Sequence, residues 1–189
     1  MKSHNMQAIF LDSPIIAAVK NEDLLEKAIQ SDCKVLFLLY GTICNIDVIV
    51  DKIKQADKLA FVHVDLIQGL GNRDIAVNFI QEHTKADGII STKQNIIRHA
   101  QEMHMTAGER TFIVDSMAFQ TIQNHIQTIQ PDFLEIMPGL VTDIIKQLSE
   151  LSSIPIVASG LMRSKADILT SLDAGAQAIS TTRPELWKL

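Results

Sequence analysis

Aromatic residues make up only 5% of this 189-residue chain, with a single Trp and a single Tyr. A surface that reads nucleic acid by stacking many bases therefore has little material to work with. Cysteine is almost missing. Cys33 and Cys44 stand alone, with no C-x-x-C pattern and no metal-ligand spacing. That excludes a disulfide framework and a cysteine zinc site, and it reads as reduced thiols in a cytoplasmic protein. No long apolar run occurs. The longest, residues 35–40, is far too short to span a bilayer. Met1-Lys2-Ser3-His4-Asn5 leads into no apolar signal segment, so secretion is not expected. A basic excess is also absent: 17 Lys and Arg against 22 Asp and Glu give a net charge of −5. This argues against a large nucleic-acid face, although it leaves room for a local patch or an oligomeric surface. Finally, no glycine follows the first strand candidate, where Val19 meets Lys20-Asn21-Glu22. The Gly-rich loop of an open dinucleotide-binding sheet is therefore missing.

What is present is regular. Apolar residues make up 47% and charged residues 21%, the balance of a folded globular chain, and the length suits one domain over residues 1–189. Short β-branched apolar runs alternate with longer amphipathic stretches. Strands are expected at 15–19, 35–40, 59–66, 88–92, 111–115, 133–138, 154–160 and 178–182. Helices are expected at 23–31, 45–57, 74–83, 93–105, 117–129, 141–151 and 164–173. Strict alternation gives a parallel sheet with right-handed crossovers. Eight units close into a small α/β, TIM-type (β/α)8 barrel, with little left after Pro184 for an eighth crossover helix.

The last two strand candidates end in small hydroxylic residues, Ser159-Gly160 and Ser180-Thr181-Thr182. In a barrel, this is where backbone N–H groups and hydroxyls gather a phosphate. Other polar residues fall inside strands. With the valines of Phe61-Val62-His63-Val64-Asp65 facing helices, His63 and Asp65 turn inward; with Leu134 and Ile136 facing helices, so does Glu135. Asp65, Lys93, Asp115 and Glu135 then converge on the C-terminal rim. Asp115 suits a helix cap and His63 a hydrogen-bonded core position. Asp65, Lys93 and Glu135 are the candidates for contact with a hydroxylated phosphate ester. No metal cluster and no cofactor motif is visible.

Four strings are specific in combination: His63-Val64-Asp65-Leu66-Ile67-Gln68-Gly69, Gly88-Ile89-Ile90-Ser91-Thr92-Lys93, Pro131-Asp132-Phe133-Leu134-Glu135-Ile136-Met137-Pro138-Gly139, and Ser180-Thr181-Thr182 with Leu186-Trp187. Together they resemble the glycerol uptake operon antiterminator regulatory proteins, from Pro14 to Trp187. The resemblance implies a barrel that senses glycerol 3-phosphate and acts on leader mRNA to prevent premature transcription termination, without established catalysis. Carried onto this chain, Ser159, Gly160, Ser180 and Thr181 would hold the phosphate. Asp65, Glu135, Lys93 and Gly139 would complete the ligand site. Arg98 and Arg110 are the candidates for RNA contact. The chain departs from the family where it has Ser159 in place of a first glycine, and Glu109 in place of a glutamine before Arg110.

A second reading stays open on the residues alone. A TIM-barrel enzyme acting on a small phosphorylated metabolite, as an isomerase, aldolase or phosphodiesterase, would use the same phosphate loops. Lys93 would serve as Schiff-base amine and Glu135 as acid or base.

Overall fold

Eight parallel strands close into one barrel, each hydrogen-bonded to its neighbours in chain order, with β1 pairing β8 to complete the ring. The computed structural model describes residues 5–71 and 73–188. Met1 to His4, read above for a signal segment, lie outside them. The strands are β1 (Ile15–Val19), β2 (Val35–Leu38), β3 (Leu59–His63), β4 (Gly88–Ser91), β5 (Thr106–Phe112), β6 (Phe133–Met137), β7 (Ile156–Ser159) and β8 (Ala178–Thr181). The helices are α1 (Met6–Asp12), α2 (Glu22–Ile29), α3 (Ile46–Gln55), α4 (Ile75–His83), α5 (Gln94–Glu102), α6 (Ser116–Thr128), α7 (Thr142–Leu151) and α8 (Lys165–Asp173). Among the described residues, β8 is followed by a 3₁₀ turn, Pro184–Leu186.

Local chemistry sets the helix starts. Asn21 and Asp115 accept hydrogen bonds from Leu24 N and Ala118 N, at 3.0 and 2.8 Å. Ser164 and Asp167 form a reciprocal capping box on α8.

Two differences from the sequence reading matter. First, α1 precedes the barrel. Met6 and Phe10, one helical turn apart, are buried among Ile16, Phe37, Phe61 and Phe133 in the barrel interior. The helix therefore plugs the N-terminal mouth. The Phe10 and Phe133 rings meet edge-on at 5.7 Å, and Phe37 stacks on Phe133 at 5.6 Å. Second, β5 begins five residues before the expected strand. Gly108 lies within it because the Phe133 ring occupies the space beside it: a Cβ there would fall 2.0 Å from Phe133 Cζ. This register turns Gly108 and Arg110 inward, opposite Phe133 and Glu135.

The interior is thus divided. Four phenylalanines fill its lower half, and the residues above them are polar. A buried aromatic side chain truncated to alanine costs about 3–5 kcal/mol. Phe10→Ala is expected to lower the unfolding free energy by about that much, read by urea denaturation. An unchanged midpoint would mean that α1 does not seal the barrel.

Candidate functional site

At the C-terminal ends of β7 and β8 the barrel opens into a cavity of about 380 Å³, within the size range of small-molecule sites. Ala18, Leu39 and Met137 form apolar parts of its wall, and Ser159, Gly160, Ser180, Thr181 and Thr182 supply the polar edge. Arg110 reaches it from β5, and Arg163 and Arg183 stand in the loops that leave β7 and β8.

Arg110 is held by Glu135. Its Nε donates to Glu135 Oε2 at 2.7 Å and its Nη2 to Oε1 at 3.2 Å. Glu135 is fully buried and Arg110 is 8% exposed. The fork geometry fixes the guanidinium plane, and the pair carries no net charge into the barrel mouth. His63 is buried close by. Burial first, and the Arg110 charge second, push it down to about 4, so it is neutral at physiological pH.

Among the described residues, three buried side-chain atoms lack a hydrogen-bond partner: His63 Nδ1, Glu109 Oε2 and Ser180 Oγ. Ser180 is the one that also lines the cavity. A buried hydroxyl without a partner is costly, and a ligand oxygen in the cavity would relieve that cost. The loop after β7 adds a second feature. Gly160 and Leu161 have consecutive positive φ angles of 75° and 60°. Two such residues in sequence bend the chain sharply, and both line the cavity. For Leu161, whose Cβ crowds the backbone there, the conformation is strained by roughly 1–2 kcal/mol.

The expected site residues divide into two groups. Ser159, Gly160, Ser180 and Thr181 come together at the cavity. Asp65 sits in a 3₁₀ turn after β3 and ties two loops. It accepts from Ser91 Oγ and Thr92 N, both at 2.7 Å, and from Thr92 Oγ1 at 2.9 Å. Lys93 is exposed at the start of α5 and is not among the residues that line the cavity. Gly139 is a packing position: a Cβ would lie 2.4 Å from Met162 Cε and 2.6 Å from Ser159 N. Glu135 reaches the cavity through Arg110. Arg98 is exposed on α5, whereas Arg110, expected to face RNA, points into the barrel mouth, because β5 starts earlier than its sequence implies. Glu109 faces outward from the same strand and meets His125 Nδ1 of α6 at 2.5 Å. Burial raises its carboxyl above the usual range. Arg163, Arg183 and Met137 were not singled out by sequence. The two arginines lie four and two residues past the strand ends that were.

Against known proteins, the family model described as glycerol-3-phosphate responsive antiterminator matches residues 15–187. The chain belongs to that family. It is 40% identical over 177 residues to the Escherichia coli K12 protein named "Uncharacterized protein YgcP", covering 94% of this chain and 93% of that one. The crystal structure of the glycerol uptake operon antiterminator regulatory protein from Listeria monocytogenes superposes with a TM-score of 0.88 at 31% identity, covering 92% of this chain and 94% of that chain. An antiterminator-related protein from Thermotoga maritima gives 0.84 at 29% identity, covering 94% and 99%. A deoxyribose phosphate aldolase from Aeropyrum pernix gives 0.69 at 13% identity, covering 98% of this chain and 96% of that chain, a likeness of fold alone.

Removing one member of a buried ion pair leaves the other uncompensated and costs about 3–5 kcal/mol. Glu135→Leu is expected to lose about that much stability, and Arg110→Met with Glu135→Leu to regain most of it, measured by urea denaturation. A double variant as unstable as the single one would contradict the pairing.

Proposed function

We propose that this protein senses glycerol 3-phosphate in the barrel mouth and, in the cytoplasm, acts on a leader mRNA to prevent premature termination. The observation that carries the ligand half is the unpartnered Ser180 hydroxyl in a cavity edged by the β7 and β8 loops. The phosphate would sit against the Gly160–Leu161 amides and the hydroxyls of Ser159, Ser180 and Thr181, with Arg163 supplying positive potential while Arg183 pairs with Glu185 at 3.0 Å. The glycerol hydroxyls would meet Arg110, whose charge Glu135 cancels. A neutral but polar wall suits a polyol better than a second anionic group.

Family membership supports the RNA half. Ligand would favour one arrangement of the β7 and β8 loops over another and so change affinity for RNA by linkage. Arg98 on α5 remains the candidate RNA contact. The Schiff-base form of the enzyme reading draws no support from the cavity, whose described lining residues include no lysine.

Calorimetric titration with sn-glycerol 3-phosphate tests the ligand half. Saturable binding is expected, far tighter than for glycerol or inorganic phosphate, and weakened roughly tenfold by Ser180→Ala, the loss of about one hydrogen bond. Binding no better than that of inorganic phosphate would refute it. In gel-shift titrations, ligand is expected to tighten binding to leader RNA; identical affinities with and without ligand would refute the coupling.

A further inference from the structure

The α6 helix differs from its neighbours in charge. It is the longest, 13 residues, and contains no Asp, Glu, Lys or Arg. Each of the other α-helices among the described residues carries at least one. Its outer face offers Gln120, Thr121, Asn124, Gln127 and Thr128, all exposed. At its N-terminal end three large apolar side chains stand in solvent within six residues: Phe112, Val114 at 80% exposure and Met117 at 73%. Leu140 is likewise exposed, in the loop after the adjacent strand β6. Asp115 is the one acidic side chain in the stretch, and its carboxylate is engaged as the α6 N-cap, where the helix dipole offsets its charge.

From this we infer that the β5–α6 loop and the outer face of α6 form an interface with a second copy of this chain. Charge decides the occupant. Nucleic acid needs Lys and Arg, and this patch has none. Interface cores are depleted of charge and enriched in Phe and Met. A two-fold interface sets a surface against itself, so any net charge would repel its own image. An uncharged row of amides instead complements itself, since Gln and Asn each donate and accept.

The inference stands independently of the ligand assignment. Sedimentation equilibrium of the full chain at micromolar concentrations tests it. The wild type is expected to sediment with the mass of two chains. Met117→Lys combined with Val114→Lys is expected to give the mass of one, with an unchanged circular dichroism spectrum. Leu11→Lys, on the opposite end of the barrel, is expected to leave the dimer intact. A wild-type monomer would overturn the inference, as would a dimer indifferent to the paired lysines. Amide exchange provides a check that needs no variant. Protection of residues 112–128 is expected to rise with protein concentration, and concentration-independent exchange would likewise overturn the inference.

Discussion

The Arg110–Glu135 ion pair is the constraint from which the upper half of the barrel follows. Two ionised groups lie inside a ring of strands, where desolvation of each is expensive. They persist because the fork is bidentate and because β5 and β6 are in the one register that places the two residues opposite each other. That register also sets Gly108 opposite Phe133. Any residue larger than glycine would collide with the ring below. The phenylalanine plug and the ion pair are therefore two consequences of one strand alignment. A one-residue slip of β5 would turn Arg110 toward the helices and Glu109 into the mouth.

Above the plug, the polar mouth has a division of labour. Arg110 and Glu135 supply a rigid wall of no net charge. The ends of β7 and β8 supply small hydroxylic residues and a strained turn, and their loops carry Arg163 and Arg183. Strain at Leu161 and the unpartnered hydroxyl at Ser180 are both unfavourable in themselves. Such features accumulate where binding compensates them. The family that this chain belongs to is named for response to glycerol 3-phosphate, and the mouth has the size and polarity for such a molecule.

Much of this was legible in the residues. The alternation of β6 placed Glu135 inward, and the paired small-residue ends located the cavity. Three things were not legible. The β5 start was obscured because Gly108, Glu109 and Arg110 look nothing like a strand: their identities answer to Phe133, His125 and Glu135, residues distant in sequence. Helix α1 spans only seven residues, and its apolar pair gains meaning only once the barrel mouth exists to receive it. The direction of Lys93 is the third. Its position just past β4 suggested the rim, but nothing in the sequence tells which way a side chain leaves a strand end.

The most direct test of the account is a crystal structure of the complex with sn-glycerol 3-phosphate. The account predicts the phosphate between the Gly160–Leu161 turn and Ser180, with the glycerol hydroxyls on Arg110 and the Arg110–Glu135 pair intact. A phosphate bound elsewhere on the barrel, or an Arg110 withdrawn from the mouth, would contradict it.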